Sequence, residues 1–249
     1  MNFLLAAVLF FSVSEARDFK AIKESGTIEI ATEGAFAPFN YFKGKELTGF
    51  EVDVANAVAK ELGLKVNWKT YGFDSLLIGL NQNKYDVVIA SHGITPERAK
   101  AVEFTNPHYC TGGIIVTKAG GPLTAKDLAG KTVAVQVGTT YLTALQKVPG
   151  LKDIKTYPKD TDSFQNLMAG RVDALVTDRF IAKESIQAHA KKMKMVTGDL
   201  LFSEQVAMAV AKNNKGLVEK LNEGLKKILA NGVYKSISEK YYSEDIRCK

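Results

Sequence analysis

The stretch YDVVIASHGITPER (residues 85–98) joins a short apolar run to a polar segment that begins a helix. The apolar half predicts a buried strand. Thr95 then supplies a side-chain N-cap, Pro96 the first helical position and Glu97 an acid in the first turn, a pattern that favours a helix start. Arg98 falls one turn into this helix, beside backbone N–H groups that we expect to be free. Such a guanidinium suits a small carboxylate, and the alternative is an ordinary surface arginine.

Length and composition limit the classes to which the protein can belong. The 249 residues suffice for one large domain or for two lobes of about 100 residues each. The net charge of +6 comes mostly from Lys scattered among Asp and Glu, not from a basic face with interleaved aromatics, so no nucleic-acid partner is expected. Cys110 and Cys248 lack Cys or His neighbours at metal-ligand spacing, which excludes a zinc site but leaves open whether the two meet. No cofactor is expected.

Residues 1–16 differ from the rest of the chain. The apolar run NFLLAAVLFF (2–11) is followed by Ser14-Glu15-Ala16, with small residues at alternate positions. This pattern predicts a secretory signal cleaved after Ala16, although no basic residue precedes the apolar run. An N-terminal anchor or a buried helix is the alternative. A periplasmic, soluble mature protein is therefore expected.

The remainder alternates strand-like and helix-like segments. Before residue 106, strands are predicted over 27–32, 64–68 and 85–90, with helices over 50–62 and 74–80. The pattern breaks at 106–113, around Pro107 and the pair Gly112-Gly113, and then resumes. The later segments predict strands over 131–137, 153–157, 172–177 and 203–211, and helices over 139–146, 163–169, 217–230 and 233–242.

This rhythm predicts an α/β fold with two lobes, each a mostly parallel sheet flanked by helices. The last two helices have no strand between them and must pack on an existing lobe. The chain is expected to cross between lobes near 109–113 and 203–207, which makes a two-strand hinge. The predicted organisation is a signal peptide over 1–16, a discontinuous first lobe over 17–110 and 206–249, and a second lobe over 111–205. A ligand belongs in the cleft between them.

Candidate site residues lie in loops at the carboxyl ends of the predicted strands, where ligands bind in such sheets. They are Glu33, Phe36, Phe73, Ser91, Gly93 and Arg98 in the first lobe, and Gln136, Thr139, Thr140 and Asp178 in the second.

Together these residues complement a zwitterion. Arg98 suits a carboxylate, Asp178 an ammonium group, and Glu33 between the rings of Phe36 and Phe73 a polar or cationic side chain. Plainer interpretations stay open: the Phe rings fill core, and Asp178 and the Thr139–Thr140 segment cap helices. For Phe39 the core interpretation is preferred, and for His92, beside the cleft, a structural role.

Five motifs in order carry a family resemblance: GTIEIATEGAFAPFNY (26–41), LTGFEVDVANAVAKELG (47–63), DVVIASHGITPERAKAVEFTNPHY (86–109), DLAGKTVAVQVGTT (127–140) and LMAGRVDALVTD (167–178). From Gly26 to Tyr242 the chain resembles the extracytoplasmic solute-binding proteins of polar amino-acid ABC importers. The resemblance implies the two-lobed, hinged periplasmic-binding-protein fold.

The resemblance also implies roles for individual residues. The arginine of the I-T-x-x-R pattern, Arg98, binds the α-carboxylate, and the acid after the GRVDA strand, Asp178, binds the α-amine. Phe36 and Phe73 flank the ligand side chain, and the segment around Thr139 and Thr140 adds amide and hydroxyl contacts.

Two positions depart from the commonest family pattern. Glu33 stands where many relatives carry Asp, and Gly93 where they often carry Ser or Thr. These departures leave the class of protein intact but the identity of the amino acid open.

The expected function is to bind a polar, cationic L-amino acid by cleft closure and to deliver it to a membrane permease, as a monomer and not as an enzyme. Glutamine or cystine is the alternative ligand. A cyclohexadienyl-dehydratase-like enzyme on the same scaffold is the alternative activity, with Glu33 the obvious acid. A sensor would need a transmembrane segment after Tyr242, where the sequence supplies none.

Overall fold

The computed structural model of the protein describes residues 16–248. Residues 1–15, which hold nearly all of the predicted signal peptide, lie outside the described residues. Within residues 16–248, no helix has the length and apolar character needed to cross a bilayer.

The helices, in chain order, are α1 (Phe19–Ser25), α2 (Phe50–Glu61), α3 (Phe73–Asn81), α4 (Pro96–Ala101), α5 (Thr140–Leu145), α6 (Asp160–Met168), α7 (Arg179–His189), α8 (Lys215–Ala230) and α9 (Val233–Tyr242). A short 3₁₀ turn covers Lys126–Leu128. The strands are β1 (Thr27–Thr32), β2 (Ala35–Phe36), β3 (Asn40–Lys43), β4 (Glu46–Thr48), β5 (Lys65–Thr70), β6 (Val87–Val88), β7 (Val102–Phe104), β8 (Tyr109–Lys118), β9 (Thr132–Gln136), β10 (Asp153–Tyr157), β11 (Ala174–Asp178), β12 (Met195–Val206) and β13 (Ala209–Ala211).

A first sheet has the strand order β5-β1-β6-β13-β7. Strand β1 runs parallel to β5 and β6, with Ile30 opposite Val87, whereas β13 runs antiparallel to β6 and β7. Helices α2, α8 and α9 pack against one another beside this sheet. Their buried residues, such as Val54 and Leu221, join the same apolar core as Ile30. The C-terminal helices thus pack on the first lobe, because they have no sheet of their own to cover.

A second sheet has the order β10-β9-β11-β8-β12. Strand β9 runs parallel to β10 and β11, and β8 runs antiparallel to β11 and β12. The two-lobed α/β fold is therefore confirmed. In the first sheet, β1 is parallel to both of its neighbours, whereas β13, which follows the connection from the second sheet, is antiparallel to both of its own. In the second sheet, β9 is parallel to both of its neighbours, whereas the connecting strand β8 is antiparallel to both of its own.

Strands β8 and β12 make the connection between the two sheets. The chain leaves the first sheet after β7, enters the second in β8, and returns from β12 to β13. The two strands pair from Tyr109↔Val206 to Met195↔Lys118. Gly112 is inside β8, and a Cβ there would lie 2.0 Å from the carbonyl oxygen of Phe202. The expected break at 106–113 is thus mostly a strand, in which glycine permits close backbone approach. The lobe boundaries 17–110, 206–249 and 111–205 stay a prediction.

Several elements differ from the sequence expectations. The strand expected over 85–90 is reduced to β6, because Ser91 takes a left-handed conformation with φ 56° directly after the buried Ile89-Ala90. Helix α6 begins at Asp160, three residues earlier than expected. Helices α1 and α7, the small β2-β3-β4 sheet and the first half of β12 were not predicted. Most of β12 before Val206 is only partly buried, so its sequence lacks an apolar run.

Cys110 and Cys248 form a disulfide with their Cα atoms 4.9 Å apart. The amide of Cys110 also donates to the carbonyl of Ile246, at 3.3 Å. The residues after α9 are thereby attached to the start of β8, next to the connection between the lobes. The disulfide closes a sequence separation of 138 residues.

Replacing Cys248 by Ser is expected to lower the free energy of unfolding by about 2–4 kcal/mol, because a long loop in the unfolded chain is released. Urea unfolding of the oxidised protein and of the variant measures the difference. A reductant should lower the stability of the wild type by a similar amount and leave the variant unchanged. Equal stability of the two oxidised proteins would contradict the prediction.

Candidate functional site

The carboxyl ends of β1, β6, β9 and β11 meet between the two sheets, and a pocket lies there. Its free volume of about 10 Å³ is that of a single water molecule, so the cleft is closed on the site. Seven of the predicted residues line it, together with Tyr141, which the sequence analysis missed: Glu33, Phe36, Phe73, Ser91, Gln136, Thr139 and Thr140.

Glu33 follows β1 and reaches across the cleft. Its Oε1 accepts a hydrogen bond from Nε2 of Gln136, at 2.8 Å. Gln136 ends β9 in the second sheet, so this contact joins the two lobes directly. Burial raises the pKa of Glu33 to about 7, partly offset by the hydrogen bond from Gln136.

The aromatic walls of the pocket are backed by further rings. Phe36 stacks on Phe39, with ring centroids 5.8 Å apart, and Phe39 is completely buried in the core. Phe73 stacks on His92, with centroids 4.4 Å apart and planes 11° from parallel. Burial, and secondarily Arg98, holds the pKa of His92 well below its usual range. A neutral imidazole is therefore stacked on the ring of Phe73.

Arg98 lies in the first turn of α4, whose N-cap hydroxyl, Oγ1 of Thr95, accepts from the Arg98 amide at 3.1 Å. The guanidinium donates to the carbonyl oxygens of Gly93 (2.9 Å) and Gly138 (3.0 Å). Gly138 belongs to the second lobe, so Arg98 makes another direct contact across the cleft. Its guanidinium carbon lies 5.8 Å from the centroid of the Phe73 ring.

Two of the amides expected to be free beside Arg98 are in use. The Ser91 amide donates to Glu51, and the Ile94 amide donates to the carbonyl of Gln205 at 2.8 Å. Gly93 forms an isolated antiparallel bridge with Val206. The segment after β6 is thus paired with the end of β12, which sequence spacing does not reveal.

Asp178 ends β11 and caps α7. Its Oδ1 accepts from the amides of Phe180 (2.7 Å) and Ile181 (3.4 Å), and its Oδ2 accepts from the hydroxyl of Thr111 (2.7 Å). The side chain is fully buried, and burial raises its pKa to about 6 despite these donors. The helix-cap interpretation of Asp178 is therefore correct, and it is compatible with a further contact, since a carboxylate accepts several hydrogen bonds.

A buried carboxylate that the sequence analysis did not select holds Ser91 in place. Glu51, in the first turn of α2, accepts from the amide (2.8 Å) and the hydroxyl (3.0 Å) of Ser91. It also accepts from Nδ2 of Asn40 (2.9 Å) and contacts Nε2 of His108 (2.9 Å). These bonds compensate for the left-handed backbone of Ser91, a conformation that costs energy in a residue other than glycine.

The segment after β9 caps α5. The Thr139 hydroxyl accepts from the amide of Leu142 at 3.2 Å and donates to the carbonyl of Gln136 at 2.8 Å. The methyl group of Thr140 faces Gly93, 3.4 Å from where a Cβ on that glycine would be. Both threonines line the pocket, so helix capping and a place in the site coincide here.

Two further buried acids face the site without having been predicted. Burial raises the pKa of Asp160 and of Glu204 to about 7. Oδ1 of Asp160 and Oε2 of Glu204 have no hydrogen-bond partner within residues 16–248. The sequence could have indicated Asp160, because it is an acidic residue shortly after the carboxyl end of β10. Glu204, inside a strand that connects the lobes, gave no local signal.

The electrostatic balance of the cleft is strongly acidic. Among the described residues at the cleft, Arg98 is the buried guanidinium, and it is opposed by the carboxyl groups of Glu33, Asp160, Asp178 and Glu204. Burial raises the pKa of each of these carboxyl groups, and the nearby cations Lys159, Arg179 and Arg98 offset the loss of hydration only in part. A ligand that brings positive charge therefore relieves an existing penalty.

Comparisons with known proteins show the family to which the chain belongs. Residues 28–244 match the family model of bacterial extracellular solute-binding proteins, family 3. The chain is 33% identical to the L-cystine-binding protein TcyJ of Escherichia coli over 249 residues, 98% of this chain and 92% of that protein. It is 33% identical to the L-arginine-binding protein of Pseudomonas aeruginosa over 254 residues, 97% of this chain and 96% of that protein.

Solved structures are similar over most of the chain. An ancestral arginine-binding protein bound to arginine has a TM-score of 0.83 and 38% identity, covering 87% of this chain and 98% of its own. An ancestral arginine-binding protein bound to glutamine has a TM-score of 0.84 and 37% identity, covering 88% and 99%. The likeness therefore spans both sheets and the cleft.

Replacing Asp160 by Asn is expected to stabilise the ligand-free protein at pH 8. The folded-state pKa of about 7 exceeds the unfolded value of about 4, so the folded protein binds the extra proton between these values. The unfolding free energy of the wild type consequently falls as pH rises through this range, by an amount on the order of a few kcal/mol.

Urea unfolding at pH 5 and pH 8 measures the effect of Asp160→Asn, and the gain should be larger at pH 8. Asp162→Asn, in the same first turn of α6 but only half-buried, is the matched control. A loss of stability at pH 8 in the Asp160 variant would contradict the prediction.

Proposed function

Since the chain belongs to the bacterial extracellular solute-binding proteins, family 3, and is an amino-acid-binding protein of an ABC transporter, we propose that its ligand is a cationic L-amino acid. Arginine, lysine and histidine are the members of this class. The protein holds the ligand in the cleft between its lobes and delivers it to the membrane permease. It does so in the periplasm, as a monomer, after removal of the signal peptide over residues 1–16.

The observation that carries this proposal is the charge at the side-chain end of the pocket. Glu33 lines the pocket with the rings of Phe36 and Phe73, and repulsion from Asp160 contributes to the raised pKa of Glu33. Burial raises the pKa of both acids to about 7, and Lys159 offsets this only in part at Glu33. A guanidinium, ammonium or imidazolium group between the two rings would pair with Glu33 and gain cation–π contact. A neutral side chain would leave this penalty in place.

Gly93, Arg98 and Asp178 do not line the small pocket itself, but they suit the backbone groups of the amino acid. We assign the α-carboxylate to Arg98, with the amides of Gly93 and Thr140, and the α-ammonium to Asp178. Ser91, Gln136 and Thr139 complete the polar lining. Arg98 has five N–H donors and uses two of them on carbonyl oxygens, so donors remain for a carboxylate.

Ligand capture requires opening of the cleft, because the closed pocket has room for about one water molecule. The contacts of Glu33 with Gln136 and of Arg98 with Gly138 hold the lobes together in the closed form. Glu33 and Arg98 are both assigned to the ligand. When the ligand binds them, charged contacts through the ligand connect the two lobes in place of the weaker direct hydrogen bonds. It thereby binds the closed form better than the open form and shifts the population.

The related proteins favour no single ligand. TcyJ is a cystine-binding protein, and ancestral arginine-binding proteins are described with arginine and with glutamine. A second ammonium group on cystine would also pair with Glu33, whereas glutamine would offer only an amide. The dehydratase alternative uses the raised pKa of Glu33 for an acid, but a prephenate-like substrate brings no ammonium group to Asp178. Calorimetry with arginine, lysine, histidine, glutamine and cystine, and a spectral assay with prephenate, separate these candidates.

Replacing Glu33 by Gln is expected to weaken arginine binding at pH 8 by about 2 kcal/mol or more, about 30-fold, because a buried charge partner is lost. Binding of citrulline, the neutral analogue of arginine, should change only a few-fold. Titration calorimetry measures both ligands. Equal losses for arginine and citrulline would refute the charge pairing at Glu33.

Replacing Arg98 by Ala is expected to cost about 2–5 kcal/mol of arginine affinity, because the α-carboxylate would be buried without its guanidinium. Agmatine, which is arginine without the α-carboxylate, serves as the matched ligand. It should bind both proteins with affinities within a few-fold of each other. A variant that binds arginine as the wild type does would overturn the assignment of Arg98.

A further inference from the structure

Glu204 lies where the two lobes meet, at the end of the site that we assign to the α-carboxylate. It pairs with Thr111 in the strands that connect the lobes. Its side chain lines the outer part of the cleft with Arg98 and Thr140. A Cβ built on Gly93 would be 1.8 Å from Oε2 of Glu204. The Glu204 carboxyl group therefore fills the space that any side chain at position 93 would need.

The Glu204 carboxyl group is buried but incompletely bonded. The side chains of Thr140 and Tyr141 interact with it, and its Oε2 has no hydrogen-bond partner in the described part of the chain. The charged and titratable groups that face it are Arg98 from α4, Asp178 from β11 and Tyr141 from α5. Arg179 of α7 shares the outer cavity with it.

Charge balance at this end changes when a ligand arrives. In the ligand-free cleft, Arg98 faces Glu204 and partly compensates for its charge. An α-carboxylate bound to Arg98 would place a second anion beside Glu204. Two carboxyl groups sharing one cation keep a proton between them, and the weaker acid holds it. Glu204 is the weaker acid, since burial raises its pKa to about 7 and an α-carboxyl group titrates near 3.5.

We propose that Glu204 is a specificity residue of the ligand site, which takes up a proton from solvent when the amino acid binds and donates it in a hydrogen bond to the ligand α-carboxylate. A protonated carboxyl group is an O–H donor, and an O–H···O⁻ bond is short and strong. Gly93 leaves the space for this group. The inference rests on the proposed function and names how that same site recognises the carboxylate.

The test is titration calorimetry with L-arginine from pH 6 to pH 8.5, in buffers of different ionisation enthalpy. Above pH 7 the affinity of the wild type should fall, approaching about tenfold per pH unit, with uptake of about one proton per arginine bound. Glu33 and Asp160, whose pKa values are also about 7, release protons to a cationic ligand mainly below about pH 7.5, so the slope of the wild type and of each variant is read between about pH 7.5 and pH 8.5. Agmatine, which lacks the α-carboxylate, should bind without this proton uptake.

Glu204→Gln replaces the carboxyl group by an amide that donates at any pH. Its arginine affinity should stay level from about pH 7.5 to pH 8.5 and exceed that of the wild type at pH 8.5 by about tenfold, without proton uptake. Glu97→Gln, an exposed acid of α4 that lines the same outer cleft, is the matched control and should keep the wild-type slope. A wild-type slope in Glu204→Gln would overturn the inference.

Gly93→Ser supplies a second variant in case Glu204→Gln fails to fold. The atom that its Cβ would meet is the far end of a flexible side chain, so Glu204 can move aside. With Glu204 displaced, the slope above about pH 7.5 should disappear while arginine still binds at pH 6. A retained slope would again overturn the inference. If the wild type binds arginine without any slope, only this inference fails; if it binds no amino acid, the proposed function fails.

Discussion

In this structure the carboxyl groups of Glu33, Asp160, Asp178 and Glu204 are largely or fully buried, and so is the guanidinium of Arg98. A buried charge is tolerated only when it is paired or neutralised, so these four acids need either a proton or a partner. Under the proposed function, a cationic ligand supplies that partner when the lobes close around it.

The positions of the loops that line the site depend on a further buried carboxyl group, both of whose oxygens have hydrogen-bond partners. The carboxylate of Glu51 is bonded to Ser91, Asn40 and His108, and Asn40 in turn accepts from the amide of Gly34. The loops after β1 and β6 are thereby held by one group. Because every acceptor position is used, this network is rigid, in contrast to the unpaired acids of the cleft. The rings of Phe39 and His92 support Phe36 and Phe73 in the same way.

The pair Gly93 and Glu204 links the hinge to ligand recognition. Glu204 is carried by a strand that connects the lobes, whereas Gly93 follows β6 in the first lobe. Hydrogen bonds between the segment after β6 and the end of β12 keep this acid close to Arg98. Under the proposed assignment, the group that recognises the α-carboxylate therefore lies on the connection between the lobes.

Local sequence patterns are enough to predict the alternation of strands and helices, the two-lobed class and the loops that line the pocket. Strands β1 and β10, helix α9 and the capped start of α4 were predictable residue by residue, because periodicity, capping and turn residues act over a few positions. Gathering Glu33, Phe36, Phe73 and Gln136 into one pocket followed from the rule for strand carboxyl ends.

The groups that share a charge environment are brought together only by folding. The pairing of Cys110 with Cys248, the antiparallel edges of both sheets, and the approach of Glu204 to Gly93 join residues that lie far apart in the chain. The partners of Asp178 and Glu51 likewise come from distant elements. Desolvation and Coulomb energy depend on distance in space, so local sequence patterns carry no record of them until the chain is folded.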